Sequence, residues 1–496
     1  MSFSSSPNTA ALSQQGSVVK AKDLLDFVFV TRPASGCKEG EEHKKLMYFW
    51  PKKETVDYQV QTIGFAEAVV KFTVSFAAGD EQPVSSDDDS SFRHVNTAKQ
   101  LHIYFEVEND EYLLGFGLNR ARAAENGYTL HASSLRTVLN TAYKMFRLFF
   151  GSFSKLFASD ETGEGTALKD RLDYFFTRYL GTLRLQQMPI IDLYSGVDFM
   201  SLDNINFLKI ETLIAQVCEV FPQVKRVMFL YQDRLLWYTV PKADVVVLYR
   251  YLTQNLLPMS LRAELQPETQ KRSTNPHHHG KFITGPPHMD SSSLLSSMSD
   301  VSSKEQQLPV VHLSDDNGDL VPYHLIVYRA LNATICLFAP VDEHQVTSEF
   351  FRNLDALLGP RLTAVASMVG DSFIANSTNS SALLKKDIDF HYVYYNPSSL
   401  SLKTTFGDSA VDTAKIPLVP SAIYRLVCDL ADELETGEHF GDVLAKTDSD
   451  WWVAAKKAND RVLFLIFPQR SSGLTEVHDE VRRFTKNHFD GIFFNE

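Results

Sequence analysis

The chain has few groupings whose residue types and spacing could do chemistry. The most conspicuous is "NPHHHGKF", with His277, His278 and His279 in a row. Imidazoles bind zinc, but a zinc site needs donors converging on one point, and consecutive side chains diverge. The stretch is therefore expected to be a polar loop. Asp315 and Asp316 could offer carboxylates to a cation, yet Asp-Asn-Gly between two strand-like runs is ordinarily a turn. The acids of "SDDDSS" read as a solvated loop. There is no Gly-x-x-x-x-Gly-Lys-Ser/Thr phosphate loop, no Gly-x-Ser-x-Gly elbow and no His-Glu-x-x-His pair. "GFG" at 115–117 is two glycines inside a strand. No catalytic residue, metal ligand or cofactor-binding residue is assigned, and no cofactor is expected.

Composition narrows the class. The 496 residues suffice for two to four domains, and 44% hydrophobic with 12% aromatic content is globular. Forty-eight basic against 61 acidic residues give a net charge of −13, which disfavours binding to a nucleic-acid backbone. Cys37, Cys218, Cys336 and Cys428 are scattered without pair spacing, so a reducing, cytoplasmic setting is expected. The first residues lack the charge and apolar run of a secretory signal, and no run of about 18 apolar residues occurs, so neither secretion nor membrane spanning is expected.

The elements that must position any site fall into three αβ blocks. A Ser-rich tail, expected to be disordered, covers 1–22. The first block, 23–190, opens with strands "LLDFVFVTRP" and "KKLMYFWP", then a helix over 55–77, a hairpin turning at Asn109 and Asp110, and helices near 130–157 and 166–187. The second, 191–372, has a one-faced helix with Phe207, Ile210, Ile214 and Val217, a hairpin at Gln232-Asp233, a low-complexity insertion at 266–307, three strands and a helix near 345–369. The third, 385–496, contains "FHYVYYNP", the helix "SAIYRLVCDLADEL", the hairpin "WWVAAKKANDRVLFLIFP" and a final amphipathic helix.

The helix over 55–77 is the most informative. At 100° per residue, Tyr58, Phe65, Val69, Phe72 and Phe76 lie along one line, and Val56, Val60, Ile63, Val70 and Val74 nearly opposite. One stripe can cover the chain's own sheet. The second, which contains Glu67, needs either a further layer of the same chain or a partner subunit.

Many segments resemble one family. They include "KEGEEHKKLMYFWP", "EAVVKFT", "LKDRLDYFFTRYLGTLRLQ", "FLYQDRLLW", "LYRYLTQNLLP", "GKFITGPP", "YHLIVYRALNATICLF", "LLGPRLTAVAS", "DWWVAAKK" and "FDGIFF", in order over nearly the whole chain. On these the chain resembles the vacuolar-fusion proteins of the calcium-caffeine-zinc sensitivity family. The resemblance implies an α/β (α+β) protein of three longin-like domains, each a mostly antiparallel five-stranded sheet flanked by helices. It implies a heterodimer with a second tri-longin protein, the monensin-sensitivity subunit, acting as a non-chemical guanine nucleotide exchange factor for the late-endosomal Rab GTPase. In animals a third, propeller-containing subunit is added. Peripheral recruitment from the cytoplasm to late endosome, lysosome or vacuole, and autophagosome membranes follows. It also turns the second stripe into a partner and Rab surface: Val56, Val60, Ile63, Glu67, Val70, Lys71 and Val74. A Rab-effector scaffold without exchange activity is the competing reading, separable by whether nucleotide release accelerates.

Overall fold

Strand alternation puts Phe27 and Phe29 on one side of a strand and Val28 and Val30 on the other; all four are buried, so a layer must cover each side. The computed structural model describes residues 18–36, 40–77, 92–160, 163–264, 278–285, 308–315, 317–341, 346–376, 389–406, 416–436, 441–468, 472–489 and 491–493. The strand is β1 (Leu25–Thr31), followed by β2 (Leu46–Trp50), α1 (Val56–Ala77), β3 (Phe92–Asn96), β4 (Gln100–Val107), β5 (Tyr112–Asn119), α2 (Ala132–Phe150) and α3 (Thr166–Thr182). The sheet is antiparallel in the order β2-β1-β5-β4-β3. α1 covers the Phe27/Phe29 face, where Ile63, Ala66 and Val70 join the core. α2 and α3 cover the other, where Tyr48 stacks on Phe176 at 5.0 Å and Phe105 meets Tyr143 edge-on at 6.0 Å.

Two local details fix this sheet. The β4–β5 hairpin turns through Glu108, Asn109 and Asp110, all at positive φ. The Glu108 carboxylate accepts the backbone N–H groups of Phe153 (2.7 Å) and Ser154 (2.8 Å), capping the short helix that follows α2. The glycines of β5 have a packing reason: a Cβ on Gly115 would stand 2.3 Å from the Phe29 ring, and one on Gly117 2.2 Å from the Phe27 ring. Bare backbone at these two positions admits the rings.

A short helix, α4 (Pro189–Leu193), follows. The sequence reading starts the second domain at 191, but Met188, Ile190, Leu193 and Tyr194 pack into the core of the third domain, and the middle unit resumes at Val197. That unit comprises 147–151 with the second domain; the first and third domains share the other unit. The second domain runs α5 (Asn204–Val220), β6 (Arg226–Tyr231), β7 (Arg234–Tyr238), α6 (Lys242–Tyr251), β8 (Gly280–Phe282), β9 (Val310–Ser314), β10 (Leu320–Ala330), β11 (Ala333–Pro340) and α7 (Ser348–Asn376). Its strands are ordered β8-β10-β11-β6-β7, and β9 also pairs with β10. The eleven-residue β10 is long enough for both: β8 pairs with its Ala330 end and β9 with the stretch Leu320–His324. This gives six strands where five are expected, because part of the presumed insertion is structured.

The same segment corrects the reading of the histidines. His277 lies outside the described residues. His279 is exposed, but His278 is buried, its ring against Gly359, its Nδ1 accepting the Gly280 N–H at 3.1 Å and its Nε2 3.5 Å from Asp355. It anchors β8 on α7 and is not part of a solvated loop. No group of three or more potential metal ligands converges among the described residues. Asp315 Oδ1 accepts the N–H groups of Asn317 and Asp319 at 2.9 and 2.8 Å, closing a turn.

The third domain comprises β12 (His391–Asn396), β13 (Ser401–Thr404), α8 (Ser421–Thr436), β14 (Asp442–Lys446), β15 (Trp452–Ala458), β16 (Arg461–Phe467) and α9 (Leu474–His488), with strand order β13-β12-β16-β15-β14. α8 packs on one face of this sheet and α9 on the other. No described helix is long and apolar enough to cross a membrane.

The glycine packing makes a direct prediction. Gly117→Val should lower the stability of the first domain by about 1–3 kcal/mol through overpacking against Phe27. Gly64→Ala should be neutral or stabilising, since a Cβ there meets nothing within 4 Å. Thermal unfolding of the two variants checks the contrast.

Candidate partner surface

α1 follows directly from β2, so its sheet-facing residues must fit an aromatic floor that is already in place. Phe27, Phe29, Phe49 and Tyr104 fill that floor, which leaves room for side chains of modest size. Ile63, Ala66 and Val70 supply them and are buried. The bulkier stripe therefore turns outward: Tyr58 is 37%, Phe65 46% and Phe72 64% exposed. Val56, at the start of the helix, is 59% exposed.

The sequence reading is thus corrected in its orientation. Ile63 and Val70, expected on a partner surface, face the chain's own core, and Val60 is half-buried. Val56 and Lys71 are exposed, and the side chain of Val74 lies outside the described residues. The aromatics expected to cover the sheet form the open face instead. A 100° step identifies two apolar stripes but not which one is inward; that depends on the volume left by the strands. The signal was present in the paired phenylalanines of β1 and the two glycines of β5.

Glu67 is a further correction. It is buried, and its Oε2 receives the Lys45 Nζ at 2.9 Å, not a contact from Lys71 one turn along. Its other oxygen, Oε1, is buried with no hydrogen-bond partner among the described residues. Lys45 sits at the end of a short 3₁₀ turn directly before β2, and its own carbonyl accepts the Thr31 hydroxyl at 2.9 Å. The lysine before the aromatic run thus pins α1 to the sheet.

The open face rests on a polar patch. Phe65 meets His102 edge-on at 5.8 Å, and Tyr58 meets Phe49 edge-on at 6.2 Å. His102 lies 2.8 Å from both the Tyr104 hydroxyl and Gln100 Oε1, and burial holds its pKa below the usual imidazole value. A neutral ring under Phe65 keeps this face apolar. Gly64 and Ala68 are exposed between the aromatics, so a partner helix could approach the α1 backbone closely there. The arrangement suits protein association, and no group of three or more potential metal ligands converges among the described residues.

Lys45→Met should cost about 1–3 kcal/mol by leaving the Glu67 carboxylate buried and unpaired. The double variant Lys45→Met/Glu67→Leu should recover most of that loss. Urea unfolding of the single and double variants gives the coupling.

Comparison with known proteins agrees with three domains. The family described as the first longin domain of INTU, CCZ1 and HPS4 matches residues 25–151, Intu longin-like domain 2 matches 224–359, and Intu longin-like domain 3 matches 386–484. A vacuolar fusion protein CCZ1 homolog from Nematostella vectensis is 32% identical over 485 residues, 95% of this chain and 98% of its own length. The Xenopus laevis homolog is 30% identical over 96% of this chain and 98% of its own. The Dictyostelium discoideum homolog is 22% identical, again over 96% of this chain. Such similarity, spanning all three sheets, makes the chain a tri-longin member of the CCZ1 vacuolar fusion protein family.

Proposed function

We propose that this chain is one subunit of a heteromeric guanine nucleotide exchange factor, paired with a second tri-longin protein, the monensin-sensitivity subunit, and promoting GDP release from the late-endosomal Rab GTPase. Family membership carries the coarser part, a trafficking role in vacuole fusion. The observation that carries the pairing is the open aromatic face of α1. Phe65 and Phe72 lie seven residues apart on one helix face, and burying each is worth about 1.5–3 kcal/mol. A helix with two phenylalanines 46% and 64% exposed on one face is a natural dimer element.

Exchange requires no bond to be made or broken in the protein. It requires that the nucleotide-free GTPase bind more tightly than the nucleotide-bound form, and that difference weakens nucleotide affinity. A platform assembled from two first domains exists only in the dimer, so either subunit alone is close to inert. The fuller assembly includes a third, propeller-containing subunit and acts peripherally at late endosome, lysosome or vacuole, and autophagosome membranes.

Phe65→Asp and Phe72→Asp should leave folding intact and weaken co-purification with the partner by tenfold or more, on the order of the lost burial. Ile63→Asp should instead deplete soluble chain, because that side chain lies in the core. Undiminished co-purification of folded Phe65→Asp/Phe72→Asp removes this face from the interface. Release of a fluorescent GDP analogue from the Rab should accelerate with the heterodimer and with neither subunit alone. An unchanged release rate, with selective binding of the GTP-bound Rab, would establish the effector-scaffold reading.

A further inference from the structure

The exposed residues of α1 fall into a repeat that a helix covering only its own sheet does not need. Tyr58, Gln61, Phe65, Ala68 and Phe72 are all exposed and follow one another at alternating steps of three and four, the seam of a two-helix coiled coil. Gln59, Ile63, Ala66, Glu67 and Val70 lie on the buried side. Along the seam, rings at 58, 65 and 72 alternate with the slimmer Gln61 and Ala68.

That alternation is self-complementary in one orientation. In a parallel pair of copies like meets like, so Phe65 would face Phe65 and Ala68 would face Ala68, crowding one layer and leaving a void in the next. In an antiparallel pair with a two-fold axis between residues 66 and 67, each Phe65 faces Ala68 of the other copy and each Phe72 faces Gln61. Large then fills small in both layers. Gly64 flanks the seam as exposed backbone, where a Cβ would meet nothing within 4 Å, so the two helices can approach closely. Charge selects the same orientation. Asp57 and Lys71, both exposed, stand at opposite ends of one edge of the seam, so antiparallel copies bring each toward its opposite, whereas parallel copies set Asp57 at the same end as Asp57.

We propose that two copies of this chain self-associate through α1 as an antiparallel pair, and that this pair covers the aromatic face until the second tri-longin subunit displaces it. The proposal rests on the reading of that face as the subunit interface. A contact limited to one helix from each copy falls below the roughly 1,200 Å² of a stable complex, so the self-pair is weak and gives way to an interface that engages more of the domain.

Sedimentation velocity of the full-length chain alone, from about 1 to 100 μM, should show a monomer–dimer equilibrium with a midpoint in the micromolar range. Phe65→Asp, at an exposed position, should raise the dissociation constant about tenfold or more and leave the chain folded. Asp57→Lys or Lys71→Asp alone should weaken the dimer about threefold, and the double exchange Asp57→Lys/Lys71→Asp should restore it, an outcome peculiar to an antiparallel self-pair. Added second subunit should convert the dimer to a one-to-one complex. A chain that stays monomeric throughout, a dimer indifferent to Phe65→Asp and to the charge exchange, or a self-pair retained within the larger complex overturns the proposal. If in any of these cases the second subunit still co-purifies through Phe65, the exchange-factor reading stands and the self-pair alone fails.

Discussion

The aromatic floor on one side of the first sheet decides the rest of that domain. Phe27 and Phe29 lie over Gly117 and Gly115, where any side chain would collide with the rings, and Phe49 and Tyr104 complete the layer. Because the layer is already full, α1 docks through Ile63, Ala66 and Val70, and its larger aromatics have nowhere to go but outward. The open face is therefore a consequence of core volume. The Lys45–Glu67 pair fixes the helix in that orientation, since rotating it would break the pair and leave the mostly buried Lys45 without its carboxylate.

The three large sheets reuse one plan with different covering. In the first domain a single helix faces a pair; in the third, α8 faces α9; in the second, α5 and α7 share one side of the sheet. The order of elements along the chain also shifts. The second domain takes one of its paired helices, α5, from before its first strand. The short helix between the first and second blocks is given over to the third domain's core. Contacts between regions far apart in sequence, such as His131 with Asp432, then hold the first and third domains as one unit.

For function the consequence is economy of means. The described residues contain no converging metal ligands, and the conspicuous histidines include one that packs a strand against a helix. What the fold presents instead is surface: an apolar helix face that is made by the way α1 packs on its sheet and corresponds to no contiguous motif.

The sequence by itself determined the three blocks, most of their strands and helices, and α1 to within a residue of its observed span, because alternation and 3.6-residue periodicity are local properties of the chain. Its segments were also specific enough to identify the family. It missed β3, β13 and β14, edge strands whose polar, half-exposed residues carry little alternation, and it missed β8, hidden in a stretch that read as insertion. It also read 1–22 as a disordered tail, whereas Val18–Lys20 is a strand paired antiparallel with Arg184–Gln186, a partner too distant in sequence to be read locally. Only the tertiary structure decided which stripe of α1 faces in, which lysine pairs with Glu67, and where the second domain begins. Each of these depends on volume or charge supplied by residues distant in sequence, and a helical wheel has no access to the floor the helix lands on.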